Sequence, residues 1–146
     1  MSELCAGIIL EGETATMEFV VTRVESDGAL HQMRVTYPPR SSPPPPHLHP
    51  AQDETFEVVR GQMEFVLDGV TSVRSAPAMV TVPAGTVHQL RNPGDAPATV
   101  VWSTRPALRT GEFFMDLHAA QSAGDVERLL AVIAEYADVF CLVAPE

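Results

Sequence analysis

Two histidines and one glutamate stand out because their spacing lets their side chains meet. His47 and His49 are two residues apart, and in an extended chain such residues point to the same face, so both imidazoles can reach one point. Glu54 opens the next apolar stretch and shares a face with Phe56 and Val58. If that face is buried, its carboxylate must be paired or bound to a metal, because an isolated buried charge is costly.

A third histidine follows at the end of a later turn, and the four residues together form two spaced patterns. His88 comes after the turn Pro83-Ala84-Gly85 and shares a strand face with Leu90. The patterns are His47-x-His49-x4-Glu54-x6-Gly61 and Pro83-x-Gly85-x2-His88-x3-Asn92. Both resemble the two signatures of the cupin family, in the family's order and with the hairpin signal Asp68-Gly69 between them. The resemblance extends by motif over residues 30 to 103 and is to small single-domain cupins with a helical C-terminal extension.

The cupin resemblance implies an all-β fold and a metal site. The fold would be a double-stranded β-helix, or jelly-roll, barrel followed by a short C-terminal helical extension. His47, His49 and His88 would supply imidazoles and Glu54 a carboxylate to one divalent transition metal. Imidazole and carboxylate together suit iron, manganese, nickel, cobalt, copper or zinc. Four protein ligands leave room on an octahedral metal for water or substrate, as in catalytic sites.

The resemblance leaves several functions open. The first is an enzyme that acts on a small organic molecule, of the quercetinase-like dioxygenase kind, in which Glu54 leaves the metal and serves as a catalytic base. Isomerase, cyclase or decarboxylase chemistry would use the same ligands around a Lewis-acid metal. The main alternative is a cupin that binds a small ligand without catalysis, and a weaker one is a purely structural metal. A shared fold does not decide between them.

Other titratable residues near the two patterns are rivals that the sequence argues against. Asp53 and Glu57 neighbour Glu54 in sequence, but strand alternation points both of them to the opposite face. His31 and His118 have no partner at ligand spacing, so we interpret them as surface or helix-packing residues. The predicted ligand set is therefore confined to the residues of the two patterns.

The elements that must position these residues are short strands punctuated by glycine and proline, which is typical of an all-β sandwich or barrel. The proline-rich stretch before His47 is interpreted as a rigid connector in preference to a polyproline ligand for a partner domain. Eight strands are predicted: Met17–Val24, Leu30–Tyr37, Glu54–Val59, Gln62–Leu67, Val70–Arg74, Met79–Val82, Val87–Arg91 and Ala98–Ser103.

The pattern changes from strands to helices after Pro106. A helix is predicted over Thr110–Gln121, and Ser122 with Asp125 resembles a capping box that starts a second one. Its apolar stripe would consist of Val126, Leu129, Leu130, Ile133, Ala137 and Phe140. We therefore divide the chain into a barrel, residues 1–106, and a helical extension, residues 107–146, which packs on the barrel within the same domain; a helical dimer contact is the alternative role for this stripe.

Composition excludes several kinds of partner and mechanism. The 146 residues fit one domain and carry a net charge of −10, from 9 basic and 19 acidic side chains, which argues against nucleic acid and against an anionic membrane surface. All the basic residues are arginine, so a lysine Schiff base is excluded. The first cation is Arg23, which predicts no secretory signal and hence a cytoplasmic protein. The expected partner is a small-molecule substrate or ligand, and the resemblance adds homodimerisation.

Overall fold

The computed structural model describes residues 3–143, which form short β-strands followed by two helices. The strands are β1 Ile9–Glu11, β2 Thr16–Val21, β3 His31–Tyr37, β4 His47–Leu48, β5 Asp53–Arg60, β6 Gln62–Leu67, β7 Val70–Ser75, β8 Ala78–Val82, β9 His88–Arg91, β10 Ala98–Arg105 and β11 Cys141–Leu142. The helices, α1 Thr110–Ala123 and α2 Val126–Glu135, lie between β10 and β11. The eight predicted strands are thus confirmed, whereas β1, β4 and β11 were not predicted.

Two antiparallel sheets carry the fold. One sheet has the strand order β1-β2-β3-β10-β5-β8, and the other has the order β11-β4-β9-β6-β7. The predicted hairpin between β6 and β7 turns at Asp68-Gly69, where both residues have positive φ. Such turns match the twist of the flanking strands. The candidate ligands come from both sheets, because β4 and β9 belong to the second sheet and β5 to the first.

The core lies between the inner faces of the two sheets. Alternate residues of β3 and β5 are buried, as the period-two pattern of their sequences requires. Phe56 of the first sheet and Phe65 of the second meet with ring centroids 5.8 Å apart. This alternation also confirms the strand phase that turns Glu54 inward and exposes Asp53 and Glu57.

The helical extension has a small apolar cluster of its own. Phe113 of α1 is buried with Val132 of α2 and with Tyr136 and Val139, which follow α2. The Tyr136 hydroxyl donates a 2.6 Å hydrogen bond to Asp116, which links the end of α2 to α1. These contacts hold α1 and α2 against each other.

Two details of the predicted extension are wrong. The N-cap of α2 is Asp125, whose carboxylate accepts the backbone N–H of Arg128, whereas Ser122 lies inside α1. The predicted capping box is therefore absent. The apolar stripe is also rotated, since Val126 and Leu130 are exposed at 66% and 61% while Val132 is buried. The apolar residues of α2 lie on most faces of the helix, so their spacing alone does not show which face is packed.

None of the helices among residues 3–143 is long and apolar enough to cross a membrane.

Candidate metal centre

The structure brings the three predicted histidines together. His47 lies in β4 and pairs with His88 of β9, and His49 follows His47 on the same face. The ligand nitrogens of the three rings all lie within 4.8 Å of one another, and all three side chains are buried. The convergence that the i, i+2 spacing predicts is confirmed, and the β4–β9 pairing adds the third ring.

Each imidazole is held by a hydrogen bond from its other nitrogen. The Nδ1 atoms of His47, His49 and His88 lie 2.9, 2.7 and 2.8 Å from the backbone carbonyls of Pro45, Val139 and Thr86. A carbonyl oxygen only accepts, so Nδ1 carries the proton and a neutral ring presents a lone pair at Nε2. Backbone or carboxylate acceptors of this kind orient histidines that bind metals. The three Nε2 lone pairs are thereby available at one point.

Glu54 reaches the same point from the opposite sheet. Its Oε1 atom lies 2.6 Å from Nε2 of His49 and 2.9 Å from Nε2 of His88, and its side chain is 3% exposed. Neither Glu54 Oε1 nor His88 Nε2 has a hydrogen-bond partner. Because these contacts join atoms that carry lone pairs, a cation must lie between them, either a proton on a ring or a metal ion. The donor set fits a divalent transition metal.

The electrostatics of the cluster follow from burial and from the carboxylate. Burial, together with the smaller effect of His88 beside it, lowers the pKa of His47 to about 4, so this ring is neutral at pH 7. Burial also acts to lower the pKa of His49, but the adjacent Glu54 outweighs it and the net pKa is raised. Burial acts to raise the pKa of Glu54, yet His49 and His88 hold it at about 2. The carboxylate is therefore ionised at neutral pH.

The remaining titratable residues that the sequence singled out lie elsewhere. Asp53 is exposed and accepts the backbone N–H of Ala84, which caps a turn. His31 is 1% exposed next to Gly111 of α1, and its ring packs edge-on against Phe19. His118 lies in α1 and its Nε2 is 2.8 Å from the carbonyl of Glu11. Both histidines are thus helix-packing residues, one of the two roles predicted for them.

Sequence reasoning missed two residues that contact the cluster. Val139 supplies the carbonyl that holds His49, and Phe140 stacks on His47 with ring centroids 4.6 Å apart. Both lie in the short segment between α2 and β11, and strand β11 itself pairs with β4. The sequence predicts Phe140 in the apolar stripe of α2, but α2 ends at Glu135. A backbone carbonyl leaves no side-chain signal, so the role of Val139 could not be read from its residue type.

Comparison with known proteins identifies the family of the central region. The family described as "Cupin domain" matches residues 33–104, a range that contains all four candidate ligands. This chain contains a cupin domain. Over 82 residues the chain is 37% identical to the polyketide synthase CurC of Streptomyces cyaneus, a match that covers 56% of this chain and 53% of that protein. The match thus spans about half the length of the curated relative.

Solved cupin structures share the fold of this domain. KdgF from Halomonas sp. superposes with a TM-score of 0.59 at 19% identity, over 68% of this chain and 87% of that one. A predicted oxalate decarboxylase from Thermotoga maritima gives 0.58 at 18%, over 63% and 80%. A sugar phosphate isomerase of the cupin superfamily from Silicibacter pomeroyi gives 0.56 at 23%, over 64% and 60%. Identities this low show the fold alone, and the fold is that of a double-stranded β-helix.

Proposed function

We propose that the cupin domain binds one divalent transition metal through His47, His49, Glu54 and His88 and acts on a small organic molecule. The observation that carries this proposal is the meeting of three oriented Nε2 lone pairs and an ionised carboxylate at one buried point. The Oε1 atom of Glu54 lies 2.6 and 2.9 Å from Nε2 of His49 and His88, contacts that a shared metal ion would stabilise. A metal held in this way would act as a Lewis acid on a substrate, or would bind oxygen, at a coordination position that the protein leaves open.

The roles of the chain's own groups follow from their surroundings. The three rings are held by the backbone carbonyls of Pro45, Val139 and Thr86. The imidazoles therefore lose little conformational entropy when the metal binds. Glu54 is the proposed catalytic base, because its buried carboxylate would accept a proton from a substrate at this point once it leaves the metal. Its burial at 3% exposure keeps water away from the proton that it takes.

The substrate class is the finer part of the proposal. The match to a polyketide synthase supports a polyketide-type molecule, rich in ketone, enol and phenol oxygens. Such oxygens bind hard or borderline transition metals readily once they lose a proton, which Glu54 is placed to accept. We propose a quercetinase-like dioxygenase reaction on a molecule of this kind. The alternative reactions on the same substrate class are isomerisation and cyclisation by a Lewis-acid metal, which consume no molecular oxygen.

The low exposure of the cluster favours a second candidate, a cupin that binds a small ligand without catalysis. The four side chains are between 2% and 8% exposed, and Phe140 covers His47. A ligand held in such a site would be bound and released unchanged. Turnover of a bound polyphenol by the metal-loaded protein would exclude this candidate.

The test begins with elemental analysis of protein purified without a metal-affinity tag. We expect about one transition metal per chain in the wild type and a strong loss in His88→Ala and His49→Ala. His118→Ala and His31→Ala, which lie outside the cluster, should keep the metal. Equal metal content in all five proteins would contradict the assignment. Oxygen uptake by the loaded wild type with a polyphenolic probe then separates the dioxygenase reaction from Lewis-acid chemistry.

The cellular setting is also a proposal. We propose a cytoplasmic location, which the two free cysteines, Cys5 and Cys141, support because oxidising compartments favour disulfides. A small molecule is the proposed partner. Homodimerisation stays a prediction from the family resemblance. That the protein binds neither nucleic acid nor membranes stays a prediction from its net charge.

A further inference from the structure

We propose that Val139 and Phe140, outside the region that matches the cupin family, position the metal ligands His47 and His49. The inference rests on the proposed metal site and deepens it. The family match ends at residue 104, and all four candidate ligands lie within it. The two positioning residues come from the end of the helical extension, so the matched region alone lacks the acceptor for His49 and the ring that stacks on His47.

The first contact fixes the orientation of His49. Its Nδ1 atom donates a 2.7 Å hydrogen bond to the carbonyl of Val139, and both residues are buried. The corresponding acceptors for the other two rings, Pro45 and Thr86, are each two residues before the histidine that they hold. The orientation of His49 therefore depends on a segment 90 residues away, whereas His47 and His88 are each oriented by a residue two positions earlier in the chain.

The second contact fixes the plane of His47. The Phe140 ring stacks on this imidazole with centroids 4.6 Å apart and an interplanar angle of 27°. Phe140 also stacks on Phe113 of α1, with centroids 5.1 Å apart and an interplanar angle of 26°. Phe113 in turn packs against Tyr136, with centroids 5.5 Å apart. A continuous row of rings thus connects the packed helices to His47, with Phe140 stacked on a ring at each step.

The strand that follows completes the attachment. In β11, Cys141 pairs with Leu48 and Leu142 pairs with His47, so the segment is bonded to the short strand that carries the ligands. The short strand β4 has only two residues, which leaves it weakly defined by its own sheet. With β9 on one side and β11 on the other, β4 becomes an interior strand. The extension therefore stabilises the ligand strand from its open edge.

The experiment compares Co²⁺ binding by the full-length wild type, Phe140→Ala, Phe140→Leu and a matched control, Val132→Ala. Val132 is buried in the same apolar cluster as Phe113, but it neither holds nor stacks on any of the three histidines, whose partners are Pro45, Val139, Thr86 and Phe140. We expect Phe140→Ala to weaken Co²⁺ binding about tenfold and to change the visible absorption of the bound ion. Phe140→Leu, which keeps most of the bulk and loses the stacking, should weaken binding by a smaller factor and serves as the test if Phe140→Ala does not fold.

The control separates positioning from general stability. Val132→Ala should lower the unfolding temperature while it leaves Co²⁺ affinity within about twofold of wild type and the spectrum unchanged. Wild-type affinity and spectrum in both Phe140 variants, or an equal loss in Val132→Ala, would overturn the positioning role. His88→Ala in the same titration tests the metal site itself. If the wild type and His88→Ala bind Co²⁺ alike, the proposed function fails and the positioning role fails with it.

Discussion

The side chain of Gln52 joins the ligand loop to the first residue of α1. Its Nε2 atom lies 2.8 Å from the hydroxyl of Thr110 and 2.9 and 3.0 Å from the carbonyls of Pro106 and Ala107. Gln52 is 1% exposed and falls between two candidate ligands, His49 and Glu54. One buried amide therefore ties the start of the helical extension to the loop that carries the metal site.

Replacement of Gln52 by alanine should destabilise the fold by about 2 kcal/mol, because it leaves buried acceptors without a donor. Gln89→Ala is the matched control, since its amide donates a single 3.0 Å bond to Pro44 at an exposed position. That change should cost less than about 0.5 kcal/mol. Urea unfolding at equilibrium measures both, and equal losses would show that burial of the Gln52 amide contributes nothing.

Glu54→Gln should weaken metal binding by at least about tenfold, because it removes the charge that balances the cation at nearly constant volume. Glu57→Gln, three residues along the same strand, should leave the affinity unchanged because its side chain is on the exposed face. Titration with Co²⁺ or Zn²⁺ gives both values. A loss in Glu57→Gln as large as in Glu54→Gln would contradict the strand phase on which the ligand assignment depends.

Stability should fall as the pH drops below about 6.5 because of His31. Burial lowers the pKa of this ring to about 4, against a small opposing effect of Glu25, and neither ring nitrogen has a hydrogen-bond partner. Between these pH values the unfolded chain binds a proton that the folded chain does not, so stability is fully present above pH 6.5 and is lost progressively towards pH 4. A shift of this size is worth about 3 kcal/mol.

The variant His31→Leu isolates that contribution. It removes the titrating ring and the two unpartnered nitrogens, so the difference in unfolding free energy between pH 7 and pH 4 should shrink by about 3 kcal/mol. Urea unfolding at the two pH values measures it. An unchanged difference would show that the imidazole gains solvent or a partner when it is protonated.

Two glycines of the cupin patterns should differ in their tolerance of alanine. Gly61 and Gly85 both have positive φ, at 77° and 81°, which costs a residue with a side chain about 1 kcal/mol or more. A Cβ at Gly61 would lie 2.8 Å from the carbonyl oxygen of Pro97, whereas one at Gly85 would meet nothing within 4 Å. We expect Gly61→Ala to lose about 3 kcal/mol or more and Gly85→Ala about 1 kcal/mol. Thermal unfolding compares the stability of the two variants. A larger loss in Gly85→Ala than in Gly61→Ala would contradict the close approach of Gly61 to the Pro97 carbonyl.

The sequence by itself determined which side chains share a strand face and where the strands that carry Glu54 and His88 lie. His47 and His49 share a face because of the period of an extended chain, and the alternation around Glu54 turns that carboxylate inward in the structure as predicted. These are local rules, which act between residues a few positions apart. The two spaced patterns then placed the ligands of both sheets in one known arrangement, and the convergence of the three histidines followed it.

Only the tertiary structure decided what holds those ligands. The bond from His49 to Val139 ends on a backbone carbonyl, which every residue type possesses, so no sequence pattern marks it. Val126, Leu130 and Val132 are all apolar, and which of them is buried depends on how α2 packs beside α1. Strand β11 has two residues and exists because β4 offers an open edge. Contacts of this kind are decided by segments that meet only when the chain has folded.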